Sequence, residues 1–217
     1  MDKGLLLVLS GPSGTGKAPV CEKLCRQHLT LCSSISVTSR SPRQGEKDGV
    51  HYHFLPEVQF KKLIEEDSLL EWARVYGNYY GTPLKQVEEK RAQGLDVILE
   101  IDTQGAKQIR EHMKEAILIF LLPPSLEELW NRIKGRGTEE PEVMKERFAA
   151  AYSELNEIWY YDYVVYNNNV DDAVEKIRAI ISAEKCRMER NKELLEKLPR
   201  KGGKLDLSFD RRDAENG

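Results

Sequence analysis

The chain has 217 residues, of which 40% are hydrophobic and 32% are charged, and its formal net charge is −3 at pH 7. This length and composition are typical of a soluble globular protein with one substantial core. The small negative charge gives no general attraction for nucleic acid, and no apolar run reaches the roughly 18 residues that span a bilayer. The sequence enters its first apolar run without a charged and apolar leader, so we expect a cytoplasmic protein that binds neither membrane nor nucleic acid.

The first predicted element is a buried strand at residues 5–9, which leads directly into a glycine-rich loop. Residues 11–17 read Gly-Pro-Ser-Gly-Thr-Gly-Lys, and they precede a helical pattern. In such a loop, glycines let backbone N–H groups turn toward phosphate oxygens at the positive end of a helix dipole. The sequence therefore predicts a nucleotide site whose residues are Gly11, Pro12, Ser13, Gly14, Thr15, Gly16, Lys17 and Ala18.

The residues after the lysine depart from the usual phosphate-loop pattern. Ala18 stands where a Ser or Thr hydroxyl ordinarily helps to hold magnesium, and Pro19 follows it. Proline is tolerated in the first turn of a helix, but it offers neither an N–H nor a hydroxyl to a phosphate. A hydrogen bond to a charged group is worth about 1.5–3 kcal/mol, so its loss weakens binding or rate by about ten- to a hundredfold. Two interpretations stay open: a tolerated variation in an active enzyme, or a crippled or repurposed site.

The cysteines of the chain lack the paired spacing of a zinc site; they are Cys21, Cys25, Cys32 and Cys186. We expect them to be reduced and structural, with Cys21 and Cys25 on the packing face of the helix after the loop. A metal site built from Cys21, Cys25 and His28 is the less favoured alternative, and no protein ligand for a metal is assigned.

The segment of about residues 35–82 is rich in turn residues, aromatic residues and paired charges, and we interpret it as an inserted substrate lobe. Arg40 and Arg43 flank a proline turn, with Glu46 just beyond. Arginine forks match phosphate oxygens, and the hydroxyls of Tyr52 and Tyr80 can complete a second phosphate site. Taken alone, these residues also fit an ordinary solvated surface.

Further apolar runs follow at residues 97–101, 116–122 and 163–166, with helical patterns between most of them. The alternation predicts an α/β fold with a parallel sheet covered by helices. A capping box at Ser125 and Glu128 predicts a helix toward Arg132, and residues 171–196 predict a long amphipathic helix. Residues 199–217 are predicted to form a flexible tail.

Six spaced motifs occur in order along the chain. They are the phosphate loop, residues 38–54, Glu71-Trp72-Ala73, Gly-Asn-Tyr-Tyr-Gly-Thr at 77–82, Leu-Glu-Ile-Asp-Thr-Gln-Gly at 99–105 and Gly-Arg-Gly-Thr at 135–138. Over about residues 4–190 the chain resembles guanylate kinase, and most of all its bacterial form. The resemblance implies a P-loop nucleoside monophosphate kinase fold that converts GMP and ATP into GDP and ADP, with Mg²⁺ bound together with ATP. It also implies a domain over residues 1–198, with a core at 1–34 and 83–198, a GMP-binding lobe at about 35–82 and a lid at about 132–155.

The resemblance assigns a set of residues to GMP. They are Ser36, Arg40, Arg43, Glu46, Tyr52, Glu71, Tyr80, Thr82, Glu100 and Asp102. The two arginines and two tyrosines would hold the phosphate while Glu46 orients the arginines. A carboxylate suits guanine because it accepts hydrogen bonds from the ring N1–H and the exocyclic amine, and Glu71 is the residue expected in that role. Glu100 and Asp102 end a predicted strand, so at least one of them should face the site and order GMP or magnesium-bound water.

The resemblance also assigns catalytic residues, which are Lys17, Arg132, Arg136 and Arg147. Guanidinium groups there would neutralise the charge that develops between donor and acceptor phosphates, which is most of the catalysis in phosphoryl transfer. Asn167 matches an asparagine that lies near the adenine of ATP. Pro19 stands where the family has Thr or Ser, so we expect weakened handling of ATP or magnesium.

Two other functions remain alternatives at this stage. The first is a non-catalytic module that binds GMP or another protein, because guanylate-kinase-like domains occur in scaffold proteins. The retained Gly16-Lys17 pair and the arginines of the lid favour the enzyme over it. The second is a nucleoside monophosphate kinase for another base, which Glu71 and Thr82 disfavour.

Overall fold

A computed structural model of the chain describes residues 3–75, 77–134, 141–192, 200–201 and 204–205. They belong to two compact units, Met1–Ile177 and Arg178–Gly217. The helices are α1 Lys17–Gln27, α2 Glu57–Glu65, α3 Leu84–Ala92, α4 Thr103–His112, α5 Leu126–Lys134, α6 Pro141–Leu155 and α7 Val170–Lys185, with 3₁₀ turns at Asn156–Tyr160 and Met188–Arg190. The strands are β1 Leu6–Ser10, β2 Leu31–Ser33, β3 Val37–Thr38, β4 His53–Phe54, β5 Leu69–Val75, β6 Asn78–Pro83, β7 Asp96–Glu100, β8 Ile117–Leu122, β9 Tyr163–Tyr166, β10 Arg200–Lys201 and β11 Lys204–Leu205.

A five-stranded parallel sheet forms the core of the first unit. Its order is β2-β7-β1-β8-β9, and Leu7 of β1 lies beside Ile98 on one side and Ile117 on the other. One face of the sheet carries Val8 and Leu99, which belong to one buried cluster with Val87 of α3 and Ile109 of α4. All of β1 is buried because helices cover a sheet of this kind, which explains its unbroken apolar sequence. The prediction of an α/β fold with a parallel sheet is confirmed.

A second, mixed sheet is built from the segment between β2 and α3. Its order is β4-β3-β6-β5, with β3 parallel to β4 and antiparallel to β6, and with β5 antiparallel to β6. Phe60 of α2 stacks on Tyr79 of β6, with ring centroids 5.3 Å apart. Gly81 leaves room for this packing, because a Cβ there would lie 3.1 Å from the Phe60 ring. The aromatic residues of this segment therefore supply a small core of its own.

One half of the predicted capping box is present at the start of α5, while Glu128 Oε1 accepts a hydrogen bond from Arg132 Nε at 2.8 Å. The hydroxyl of Ser125 accepts a hydrogen bond from the Glu128 N–H at 3.1 Å. This bond satisfies one of the amide groups that a helix leaves without an intrahelical partner in its first turn. It fixes the point at which the chain turns from β8 into α5.

The prediction of one continuous helix over residues 171–196 is wrong, because α7 ends at Lys185. Asn191 gives the physical reason, since its side-chain amide donates hydrogen bonds to the carbonyls of Lys185 at 2.9 Å and Arg187 at 2.8 Å. These bonds occupy carbonyls that a continuing helix would use for its own backbone.

The predicted tail lies mostly outside the described residues. Within the part that the structure describes, β10 pairs antiparallel with β11, with Arg200 opposite Leu205. None of the helices in the described ranges is long and apolar enough to cross a lipid bilayer.

Candidate active site

The glycine-rich loop follows β1 and has a backbone that only glycines adopt easily. Gly11 has φ 140° and Gly16, the N-cap of α1, has φ 88°. A Cβ at Gly11 would overlap the carbonyl oxygen of Leu121, and one at Gly16 would lie 2.6 Å from Asn167 Nδ2. Both glycines are thus required by conformation and by close packing against the ends of β8 and β9. The loop therefore has a fixed backbone conformation, and it leads directly into the N-terminus of α1.

Side chains from other elements hold the loop from behind. Asn167, just after β9, donates from Nδ2 to the Thr15 carbonyl at 2.7 Å, and Arg132 of α5 reaches the same oxygen at 3.5 Å. The Thr15 hydroxyl in turn donates to the Pro12 carbonyl at 2.9 Å. These bonds fix the conformation of the loop from the side of β9 and α5.

Lys17 is the first residue of α1, and its ammonium group lies against the loop. Nζ donates to the Gly11 carbonyl at 2.5 Å and to the Pro12 carbonyl at 3.1 Å. Burial lowers the pKa of Lys17, while the carboxylates of Glu100, Glu154 and Asp102 act in the opposite direction. The ammonium therefore lies against the carbonyls at the start of the loop.

Ala18 and Pro19 are the second and third residues of α1, and both are exposed. The first intrahelical bond runs from the Val20 N–H to the Gly16 carbonyl at 3.3 Å, so proline at position 19 breaks no helical bond. The expectation that the helix forms despite Pro19 is confirmed. At the same time, neither residue brings a side-chain donor or acceptor to the wall of the site.

The loop opens into a cavity of about 550 Å³ that also reaches the second sheet. Among the residues that line it, those predicted from the sequence are Gly11, Ser13, Gly14, Gly16, Lys17, Ala18, Ser36, Arg43, Tyr52, Glu71, Tyr80, Glu100 and Asp102. One continuous space thus contains the phosphate loop and the segment interpreted as the substrate lobe.

Arg40 and Glu46 form a bidentate ion pair beside this cavity. The two guanidinium nitrogens lie 2.6 and 2.7 Å from the carboxylate oxygens, and Glu46 also accepts the Arg43 N–H at 2.7 Å. The hydrogen bond from Arg40 lowers the pKa of Glu46 to about 2 and raises that of Arg40. The guanidinium of Arg40 also lies 5.1 Å from the ring centroid of Tyr52. Glu46 therefore fixes the backbone turn that presents Arg43 to the cavity.

Glu71 of β5 places a carboxylate in a nearly dry part of the cavity wall. The residue is 4% exposed, and Oε1 accepts a hydrogen bond from the Thr82 hydroxyl at 2.6 Å. Burial raises the pKa of Glu71 to about 7, with a smaller contribution from the charge of Asp102. A Cβ at Gly105 of α4 would overlap Glu71 Oε2, so the carboxylate packs directly against the first turn of that helix. The site thus offers a buried acceptor that can pair with two neighbouring N–H donors of a ligand.

Asp102 and Glu100 bring two more carboxylates to the cavity. Asp102 is the N-cap of α4 and accepts the Gly105 N–H at 2.8 Å, while Glu100 ends β7. Both line the cavity, as does Lys17. Carboxylate oxygens next to a phosphate site are suitable ligands for Mg²⁺, which usually binds through one or two carboxylates, substrate phosphates and water.

Comparison with known proteins agrees with this arrangement. A model of the guanylate kinase family matches residues 3–184. The chain belongs to the guanylate kinase family. It is 56% identical over 196 residues to the guanylate kinase of Caldanaerobacter subterraneus subsp. tengcongensis, covering 90% of this chain and 95% of that protein. It is 53% identical over 194 residues to the guanylate kinase of Clostridium perfringens strain 13, covering 89% and 90% of the two chains. The crystal structure of guanylate kinase from Anaplasma phagocytophilum aligns with a TM-score of 0.75 and 34% identity, covering 90% of this chain and 95% of that one.

Several residues that line the cavity of this guanylate kinase family member were not predicted from the sequence, and Glu154 is the ionisable one that lies near Lys17. Glu154 of α6 lines the cavity, and burial raises its pKa to about 6 while the charge of Lys17 acts in the opposite direction. Ala150 lines the cavity one helical turn earlier. Ala150 and Glu154 are four residues apart and therefore lie on one helix face, and that spacing was the available signal.

Some of the residues that the guanylate kinase resemblance assigned do not line the cavity. Arg132 pairs with Glu128 at 2.8 Å, and Asn167 holds the loop from behind, so neither is in the wall. Five others are also absent from the wall and support it from outside, and these are Pro12, Thr15, Arg40, Glu46 and Thr82. Arg136 and the side chain of Arg147 lie outside the described residues. The individual roles assigned to all of these residues stay predictions.

Proposed function

We propose that the chain is a guanylate kinase that transfers the γ-phosphoryl group of ATP to GMP and releases ADP and GDP. The observation that carries the proposal is the single cavity that contains both the phosphate loop and the buried Glu71 carboxylate. The loop suits the phosphates of the donor, and the carboxylate suits the base of the acceptor. The high identity to bacterial guanylate kinases over most of the chain supports the same activity.

The two nucleotides would occupy different parts of the same cavity. ATP would place its phosphates against the N–H groups of the loop and the ammonium of Lys17. GMP would place its base at Glu71, where the ring N1–H and the exocyclic amine can donate to the carboxylate. Its phosphate would meet Arg43, whose backbone Glu46 holds, and the tyrosine hydroxyls beside it.

In the transfer itself, a phosphate oxygen of GMP attacks the γ-phosphorus of ATP, and the bond from that phosphorus to the β-phosphate oxygen breaks. The protein supplies position and positive charge rather than a covalent intermediate. Lys17 would neutralise charge on the phosphates of ATP, and Arg43 would neutralise charge on the phosphate of GMP.

Mg²⁺ would be held near Glu100 and Asp102, and when bound with ATP it supplies further positive charge to the phosphates. Both residues line the cavity beside Lys17, which supports this position for the ion. Ala18 adds no hydroxyl to the set, so the ion would depend more on phosphate and water.

The test is GMP-dependent formation of ADP from ATP and magnesium, with AMP as the control acceptor and Lys17→Met as the control variant. We expect turnover with GMP and little with AMP, and a fall of about a hundredfold or more in Lys17→Met because one stabilising charge is lost. The Kd for GMP should be unchanged in that variant. Binding of GMP without ADP formation above the Lys17→Met background would contradict the proposal and favour a non-catalytic binding module.

A further inference from the structure

The outer edge of β5 is held by a side chain of α4. In the second sheet β5 is an edge strand among the residues that the structure describes, so its outer peptide groups face away from the sheet. The Trp72 N–H donates to Gln108 Oε1 at 3.1 Å, and Gln108 Nε2 donates to the Trp72 carbonyl at 2.6 Å. The carboxamide of Gln108 therefore pairs with Trp72 as the peptide group of an additional strand would.

This clamp acts on the residue next to Glu71. The Glu71 carboxylate packs against the first turn of α4 at Gly105. Gln108 lies three residues after Gly105 and thus one turn further along the same helix. Two consecutive residues of β5 are therefore registered on two consecutive turns of α4, Glu71 by contact and Trp72 by hydrogen bonds.

The position of Glu71 relative to α4 matters because two carboxylates from different elements face the same cavity. Asp102 caps α4, while Glu71 belongs to the second sheet, and both line the space assigned to GMP. The hydrogen bond from Thr82 fixes Glu71 within its own sheet, because Thr82 is opposite Glu71 in β6. A link between β5 and α4 is needed to fix the distance between the two carboxylates.

We propose that Gln108 is a positioning residue for guanine recognition, which acts by clamping the Trp72 backbone to α4 without touching the nucleotide. Gln108 does not belong to the described cavity wall, so a direct contact with GMP is not its role. The inference rests on the proposed phosphorylation of GMP. It assigns to Gln108 a contribution to the affinity for GMP that the donor nucleotide does not share.

The test compares Gln108→Met with Glu111→Met. The first keeps the length of the side chain and removes both hydrogen bonds, and the second is a control at an exposed position of the same helix. The bonds are solvent-accessible, so we expect KM for GMP to rise by about 3- to 10-fold in Gln108→Met. The KM for ATP and kcat should stay within about twofold of wild type, and Glu111→Met should change none of these constants.

Hydrogen exchange tests the clamp itself, and exchange at the Trp72 amide should accelerate in Gln108→Met while the amides of β1 keep their protection. An unchanged KM for GMP, or equal increases for GMP and ATP, would overturn the inference. If wild type forms no ADP, the proposed function fails, and calorimetry with GMP alone then decides the role of Gln108. In that case, a Kd for GMP in Gln108→Met equal to that of wild type would overturn the proposed role of Gln108. A higher Kd for GMP in the variant would support it.

Discussion

Pro19 lies in the first turn of α1, two residues after the lysine that meets the loop carbonyls. A Thr at this position would add an amide N–H and a hydroxyl to the wall of the phosphate site. Each hydrogen bond to a charged phosphate is worth about 1.5–3 kcal/mol, so we expect Pro19→Thr to lower KM for ATP by about tenfold. The KM for GMP should not change, because the lobe is not altered. Steady-state kinetics with ATP varied at saturating GMP measures the effect.

Ala18→Gly is the matched control for this prediction. It changes the neighbouring residue, which also lines the cavity, but adds no hydrogen-bond donor. Its KM for ATP should equal that of the parent chain. If Pro19→Thr shows the same KM for ATP as the parent, then the missing donors have no role in ATP binding, and Pro19 is a tolerated variation.

The buried carboxylate of Glu71 should make kcat/KM for GMP depend on pH. Burial raises its pKa to about 7, so the carboxylate of the free protein becomes protonated as the pH falls through neutrality. Only the ionised form accepts hydrogen bonds at both oxygens, so the fall in kcat/KM for GMP should approach about tenfold per pH unit between pH 7 and 6. A pH profile of kcat/KM for GMP from pH 5.5 to 9 measures this inflection.

Glu71→Gln separates this titration from that of the substrate. The second ionisation of a phosphate monoester lies near pH 6 and contributes its own inflection in both proteins. The variant should have a lower kcat/KM for GMP at pH 8, and it should keep the inflection near 6 while losing the one near 7. A profile with the same inflections in both proteins would mean that Glu71 does not control GMP recognition.

At the scale of elements, α4 organises the acceptor side of the site. Its N-cap, Asp102, faces the cavity, its first turn packs on Glu71 at Gly105, and its second turn holds Trp72 through Gln108. We therefore expect the sheet edge and the helix to act together in recognising the base of GMP. A change in the first turn of α4 should therefore alter KM for GMP and leave KM for ATP unchanged.

Gly105→Ala tests this arrangement. The added Cβ would overlap Glu71 Oε2, and the buried carboxylate has little space into which it can move. We expect KM for GMP to rise about tenfold with KM for ATP unchanged. Alanine stabilises a helix by about 1 kcal/mol relative to glycine. This gain should offset part of the strain from the overlap, so the melting temperature should fall less than the strain alone would predict.

The measurement is KM for both substrates together with the melting temperature, and Glu111→Ala at an exposed position of α4 is the control. Glu111→Ala should leave both KM values unchanged. An unchanged KM for GMP in Gly105→Ala would show that the carboxylate of Glu71 moves without consequence for the base. The expected role of Glu71 in reading guanine would then be wrong.

At the scale of the whole molecule, the sequence predicted what depends on local pattern. The apolar runs predicted four of the five strands of the parallel sheet to within about a residue at each end, and the glycine spacing predicted the loop. The short edge strand β2 was not predicted, because its three residues carry no apolar run. The positions of Glu154 and Gln108 were not predicted, because their neighbours come from elements far away in the chain. The end of α7 at Lys185 was missed for a related reason, since it depends on a side chain six residues beyond it.

Arg91 of α3 is another residue whose role only the fold reveals. It is 1% exposed although it carries a full charge. Nε donates to the Gly4 carbonyl at 3.0 Å, and the terminal nitrogens reach Glu88 at 3.1 Å and Glu115 at 3.3 Å. The Gly4 N–H also donates to the Arg91 carbonyl at 2.9 Å. One side chain thereby joins the start of the chain, α3 and the turn before β8.

Arg91→Met keeps much of the apolar stem and removes these bonds. The two carboxylates are partly exposed and can recover water, whereas the packing around the guanidinium and the bond to Gly4 are lost. We expect a loss of about 2–3 kcal/mol in the free energy of unfolding, or a fall of about 5–10 °C in the melting temperature. The KM values for both nucleotides should stay the same, because Arg91 does not line the described cavity.

Lys85→Met on the same helix is the control, because its side chain is 89% exposed and its ion pair with Glu89 is 3.8 Å long. Such a pair contributes between zero and about 1 kcal/mol, so the control should unfold within a few degrees of wild type. Equal melting temperatures for Arg91→Met and Lys85→Met would mean that the buried guanidinium does not stabilise the fold. A change in KM for GMP with normal stability would instead mean that α3 transmits its position to the site, since α3 contacts β5 and β6.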